Sequence, residues 1–236
     1  MKSIVLAAGA GRRLASMGWE KPKSLLEFNG ITLLDNIILS LIENGIDNIV
    51  IVVGYKKGLI IDSVRKHKLN FTFIENKDYA QTNTINSLWL ARDYINEDYI
   101  YFNADVFFDR RIIPMLVNHP QSAFAIDVGK CADEEVKVIV DKKDRIVSIG
   151  KKLNPKDCLG EFIGICKFSA SICPSLVKSL CRYNEILCQR NLFFETAVND
   201  ILDEHFIKAL PIGDMKAVEI DCPEDYQKVL NLLSQI

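Results

Sequence analysis

Five consecutive apolar residues, Ile4 to Ala8, stop at Gly9 near the start of the chain. A run with no polar residue at alternate positions describes a strand covered on both faces, which is the situation of a strand inside a parallel sheet. A second such run, Ile49 to Val53, follows a helical stripe of Leu33, Leu34, Ile37, Ile38, Leu41 and Ile42 that Gly45 terminates. The two runs and the stripe spell a β-α-β unit. The alternation continues with a helix near 57–67, a strand at 71–75, a helix near 84–95 and a strand at 99–103. This pattern predicts an α/β fold built on an open, mostly parallel sheet with helices on both faces.

Beyond about residue 120 the runs shorten. Strand-like segments at 123–127, 136–140, 146–149 and 162–168, separated by charged turns such as Asp141-Lys142-Lys143-Asp144, predict a small β-rich extension that walls a cleft. Helices near 174–183 and 193–204, a short strand around 217–221 and a helix from Pro223 complete the pattern. The apolar faces of the helices after residue 173 either close the core or dock a second subunit, which leaves a homo-oligomer open. The chain has 236 residues, 49% of them apolar, and no low-complexity linker, so one domain is expected.

Basic and acidic residues nearly cancel, to a net charge of -2, which argues against nucleic acid or an acidic membrane as partner. The opening apolar run is too short for a signal peptide or a membrane span, so a soluble, cytoplasmic protein is expected. Seven cysteines, an odd number without a Cys-x-x-Cys pair, signal neither a disulfide framework nor a zinc site. The three histidines stand apart from one another and receive no role.

Chemistry concentrates in Leu6-Ala7-Ala8-Gly9-Ala10-Gly11-Arg12-Arg13-Leu14. Two glycines directly after a buried strand let backbone N–H groups approach phosphate oxygens. A dinucleotide fingerprint is excluded, because its last glycine is Leu14 here and the second strand ends in Val53-Gly54 rather than an acid. A Walker loop is excluded too, for want of Gly-Lys-Ser/Thr. What remains is a glycine loop with its own arginine, followed by Lys21-Pro22-Lys23, and two fixed positive charges there suit a triphosphate. Asp105, after the apolar strand and Asn103-Ala104, sets a carboxylate at a strand's carboxyl end, where it is a natural Mg²⁺ ligand shared with phosphate.

Leu6 through Leu14, with Pro22-Lys23, closely resembles the nucleotidylyltransferase family that activates sugar phosphates and choline phosphate. Its opening motif reads Leu-Ala-Ala-Gly-x-Gly-x-Arg-Leu and then Pro-Lys. The resemblance implies a Rossmann-like sheet, with residues 1–120 binding the nucleotide and 121–236 the acceptor. It implies that Arg13 and Lys23 are catalytic, contacting the triphosphate, and that Leu6, Ala7, Ala8, Gly9, Ala10, Gly11 and Arg12 line the nucleotide loop. Asn103 and Ala104 join them, and Lys21 is an extra charge of open role. The family's second metal ligand lies in a Glu-Ile-Asp-x-Pro-Glu-Asp segment, which matches Glu219 to Asp225 here and assigns Mg²⁺ to Asp105 and Asp221. Glu224 and Asp225 read as helix-start acids.

The stretch Tyr79 to Leu88 resembles the Tyr-Ala-x-x-Asn-x-x-x-Ser-Leu segment of choline-phosphate cytidylyltransferases, which implies base recognition by Gln81, Thr82, Asn83 and Ser87. The plainer reading of the same stretch is a capped helix start. On the acceptor side the resemblance implies Lys137 and Lys152 for the incoming phosphate and Glu161 and Glu195 for its head group. Phe162, Phe193, Phe194 and Trp89 are available to frame a quaternary ammonium, unless they belong to the core. The expected reaction is Mg²⁺-dependent transfer of a nucleoside monophosphate, CMP from CTP favoured, to a small phosphorylated or phosphonate acceptor. Choline phosphate or 2-aminoethylphosphonate leads, inositol 1-phosphate or a sugar 1-phosphate is the alternative, and a catalytically inactive nucleotide-binding regulatory module is the reading from another class.

Overall fold

The computed structural model describes residues 1–234; the side chains of Arg12, Ala15 and Met17 lie outside the described residues. Nine strands form one sheet. From edge to edge its main path runs Ile146–Gly150, Lys137–Val140, Gly160–Phe168, Tyr99–Asn103, Lys2–Ala7, Asn48–Val53 and Asn70–Glu75. The last four are mutually parallel, as the unbroken apolar runs predict. The β-rich extension is antiparallel: Gly160–Phe168 pairs with Tyr99–Asn103, Lys137–Val140 and Ala123–Val128.

The run from Ile4 to Ala8 is apolar throughout because each face of its strand meets a separate core. Ile4, Leu6 and Ala8 pack with the helices Thr84–Leu90, Cys173–Cys181 and Glu195–Asn199, while Val5 and Ala7 pack with Leu33–Glu43, Lys57–Val64 and Ile112–Val117. The apolar face of Cys173–Cys181, formed by Leu176 and Leu180, therefore closes the core. No helix among the described residues is long and apolar enough to cross a membrane.

A helix and an edge strand are among the elements that lie outside the sequence reading. Ile112–Val117 is a helix despite Pro114, which stands in its first turn where a missing N–H costs little. Lys208–Pro211 is an edge strand parallel to Ala123–Val128, and its proline is tolerated at that edge. The helix expected over 193–204 is confined to Glu195–Asn199. The late strand, Ala217–Glu219, pairs with Val106–Phe108 in a ribbon apart from the main sheet.

Candidate active site

Parallel register brings the strand ends into line, pairing Leu6 with Val52 and Asn103, and Val53 with Glu75. The residues just past those ends, namely the glycine loop, Asn76 and Ala104-Asp105, therefore share one edge, where open α/β sheets bind ligands. The ribbon adds the late motif. Glu219 pairs with Val106, and the Ile220 N–H donates to the Asp105 carbonyl at 2.9 Å, which sets Asp221 beside Asp105 across more than a hundred residues. Asp225 then fixes the turn, its Oδ2 accepting from the backbone N–H groups of Asp221 and Cys222 at the start of helix Pro223–Leu233. This is the helix-start role expected of it.

Lys23 stands between the two aspartates. Its Nζ donates to Asp105 Oδ2 at 2.9 Å and to Asp221 Oδ1 at 2.5 Å, and Arg13 reaches Asp221 Oδ2 at 3.1 Å. Burial alone would lower the Lys23 pKa, but the Asp105 and Asp221 carboxylates overcome it and hold the ammonium well above its ordinary value. Burial likewise opposes ionisation of Asp221, and Lys23 followed by Arg13 holds it below the usual carboxylate range. Gly11 makes room for this arrangement: it has φ +59°, and a Cβ there would lie 2.8 Å from Lys23 Cγ. The motif's second glycine thus serves the passage of Lys23 as well as any close approach of phosphate.

A cavity of about 320 Å³ opens beside this cluster. Its glycine-loop wall is Leu6, Ala8, Gly9 and Arg13, and Asn103, Asp105, Glu219 and Asp221 line it from the strand ends and the ribbon. A smaller recess of about 90 Å³ shares Leu6, Gly9 and Asp105 and adds Ala7, Gly11, Lys23 and Ala104. Thr82, Asn83 and Ser87 face the larger cavity. Asn76 ties that wall together, its Nδ2 donating to Thr82 Oγ1 at 3.0 Å and Ser87 Oγ at 3.1 Å. Asn83 caps its helix, its side chain accepting from the Thr84 N–H, and lines the cavity as well, so the two readings of that segment are compatible. Gly164, at φ +78°, admits the Asn103 side chain, whose Nδ2 lies 2.9 Å from where a Cβ would be.

Several of the expected residues stand apart from the cavity. Ala10 and Gln81 are not in either wall. Lys137 is 1% exposed, and its ammonium donates to the backbone carbonyls of Asp133, Glu135 and Lys151, which occupies all three of its N–H groups. Lys152 is exposed on its turn, while its neighbour Lys151 lines the cavity. Glu161 is outside the wall; burial, then Glu135 and Asp127, push its pKa up to about 7. Phe162 and Phe194 are core residues, 2% and 0% exposed. The Arg12 side chain lies outside the described residues.

Two wall residues escape the sequence reading although a signal exists for each. Asn76 directly follows a parallel strand, as Asp105 nearly does. Glu219 is two residues from Asp221, the spacing that keeps extended residues on one side. Asp105, Glu219 and Asp221 each offer an oxygen within 4.8 Å of the others, a hard donor set that fits a small divalent cation. Burial, then repulsion from Asp105 and Asp221, pushes the Glu219 pKa well up.

Glu195 closes the far wall. It is 4% exposed, its Oε2 has no hydrogen-bond partner among the described residues, and burial pushes its pKa up to about 7 against smaller opposing pulls from its own backbone N–H and Lys151. Between its ordinary 4.5 and that value the folded chain keeps a proton that the unfolded chain has lost. Its stabilising contribution is therefore complete below the ordinary value, is lost as pH rises through about 7, and amounts to roughly 3 kcal/mol at most. In denaturant titrations of the ligand-free protein across this range, Glu195→Gln is expected to flatten the fall in stability and to exceed the parent at the alkaline end. Parallel pH profiles for parent and variant would contradict the assignment.

A model of the nucleotidyl transferase family matches residues 2–137. The chain is 26% identical over 254 residues to the CTP:phosphoglutamine cytidylyltransferase of Campylobacter jejuni, covering 98% of each. It is 28% identical over 237 residues to the choline-phosphate cytidylyltransferase of Haemophilus influenzae, covering 99% of this chain and 98% of that one. The solved CTP:phosphocholine cytidylyltransferase of Streptococcus pneumoniae shares its fold, with a TM-score of 0.83 at 23% identity over 98% of both chains. Because the family model spans more than half of the chain, including the glycine loop, Lys23 and Asp105, the protein belongs to the nucleotidyl transferase family of enzymes.

Proposed function

We propose that the protein transfers CMP from CTP to a small phosphorylated or phosphonate acceptor and releases pyrophosphate. The observation that carries this reading is the Lys23 ammonium held between Asp105 and Asp221 beside a cavity that Arg13 and Lys151 line. That arrangement brings three positive charges to the space where two phosphate-bearing substrates must meet. Support for CTP comes from the full-length similarity to cytidylyltransferases.

The acceptor's phosphate or phosphonate is already anionic at neutral pH, so it attacks the α-phosphorus in line without a general base. The protein's work is to align two anions and stabilise the leaving pyrophosphate. We assign Arg13 and Lys23 to the triphosphate and Lys151 to the acceptor phosphate, the role expected of Lys137 and Lys152. Thr82, Asn83 and Ser87, braced by Asn76, form the base wall, and Glu195 meets the acceptor head group. Asp105 and Asp221, with Glu219, would hold Mg²⁺, which when bound neutralises phosphate charge. The seven thiols, with Cys166 and Cys173 sealed in the core, fit a reducing compartment, and we place the reaction in the cytoplasm.

Pyrophosphate release, measured with Mg²⁺ for CTP, UTP, ATP and GTP against choline phosphate, 2-aminoethylphosphonate, inositol 1-phosphate and glucose 1-phosphate, tests this reading. Release is expected with CTP and one of the small acceptors. Preference for another nucleotide would overturn the CTP assignment, and CTP binding without release for any acceptor would favour the inactive regulatory module.

A further inference from the structure

Four aromatic side chains are available to wrap a quaternary ammonium, and the fold commits three of them elsewhere. Phe194 packs on Tyr101 with ring centroids 4.4 Å apart, and Phe162 packs on Phe124 at 4.8 Å. Trp89 donates its Nε1 proton to Glu185, and the Arg92 guanidinium lies over its ring at 4.3 Å. Phe193 alone of the four reaches the cavity wall, and there the Lys151 ammonium lies 5.0 Å from its ring centroid. A cation already covers that ring, and the wall's other aromatic, Tyr79, pairs with Tyr55 at 6.1 Å between centroids, so among the described residues the wall offers no cage of several open rings.

The same wall carries the opposite kind of feature. Glu195 lines the cavity at 4% exposure, with an Oε2 that no group among the described residues satisfies. A buried carboxyl in this condition is costly until N–H or O–H donors reach it. A trimethylammonium group has no such hydrogen to give. A primary ammonium has three, and its charge matches the ionised carboxylate.

We propose that the acceptor carries a primary ammonium head group, that Glu195 selects it by hydrogen bonding, and that a quaternary ammonium is a poor substrate. This rests on the function proposed above and narrows its acceptor class. With the phosphate on Lys151 and the ammonium on Glu195, two residues of one wall bind the two charges of a short zwitterion.

The test is turnover of CTP with 2-aminoethyl phosphate and its mono-, di- and trimethylated forms, which removes the N–H donors one at a time. From the first to the last member, kcat/KM is expected to fall by roughly 10- to 100-fold through the acceptor KM, with the KM for CTP unchanged. Glu195→Gln, which keeps the shape and removes the charge, is expected to flatten the series. If choline phosphate equals or exceeds 2-aminoethyl phosphate, this inference fails and the proposed function stands. A steep series that survives Glu195→Gln would overturn the role of Glu195. Silence across the whole series and with 2-aminoethylphosphonate, with CTP still binding, would overturn this inference, and release with inositol 1-phosphate alone would do so while leaving the proposed function standing.

Discussion

Asp105→Asn is expected to lower pyrophosphate release by about 10²- to 10³-fold while the protein stays folded, the scale on which single preorganised electrostatic groups act in enzymes. The substitution keeps the size of the side chain and removes one negative charge. Asp105 sits at the end of strand Tyr99–Asn103 with its backbone carbonyl bonded to the Ile220 N–H, and the variant leaves that bond untouched. Lys23 keeps Asp221 as a partner, and an amide oxygen can still accept from its ammonium. Because the Asp105 side chain is 27% exposed, the cost in stability should be about 1 kcal/mol or less. What is lost is a hard oxygen from the set it shares with Glu219 and Asp221, and half of the clamp that orients Lys23. Thermal melts and pyrophosphate release on the same preparation separate the two effects. Undiminished release from a folded variant would remove Asp105 from the chemistry.

The parts of the fold that are legible in the sequence are those where burial leaves a one-dimensional trace. Ile4 to Ala8 and Ile49 to Val53 are apolar at every position because both faces are covered, and that trace alone yields the parallel half of the sheet. Lys208–Pro211 leaves no such trace, since a short edge strand is specified by its partner rather than by its own pattern. The site divides the same way. Arg13, Lys23, Asp105 and Asp221 sit in motifs of fixed spacing, and the structure gathers all four within hydrogen-bonding reach of one another through Lys23 and Asp221. The lysines proposed for the acceptor carry no comparable mark. Lys137 and Lys151 are both lysines near strand ends, yet one turns inward to three carbonyls and the other faces the cavity, a difference set by the loops around Asp133 and Glu135 rather than by residue type. Lys137 nonetheless touches the site through the Lys151 carbonyl, so its burial helps hold the lysine that we assign to the acceptor phosphate.

Lys23→Met is expected to separate catalysis from cation binding, with the two moving in opposite directions. The ammonium bonds to Asp105 and Asp221, the same carboxylates that offer oxygens to a divalent cation, so the two positive charges compete for one place. Removing Lys23 leaves Asp105, Glu219 and Asp221 facing one another without their nearest counter-charge. The ligand-free variant should therefore lose roughly 1–3 kcal/mol of stability, less than for a fully sealed pair because both aspartates are more than a quarter exposed. Mg²⁺ should restore that stability, and Mn²⁺ binding measured without nucleotide should tighten. Turnover should nevertheless fall by about 10²- to 10³-fold, since no other described residue of the small recess can supply the lysine's charge to the triphosphate as pyrophosphate departs. CTP affinity should fall much less than the rate if the ammonium acts chiefly on the transition state. Calorimetry with the metal alone decides between two accounts of Lys23. Tighter binding means that the lysine holds the metal's place and yields it when the nucleotide arrives. Weaker binding means that it orders the carboxylates for the metal, and the competition argued here is wrong.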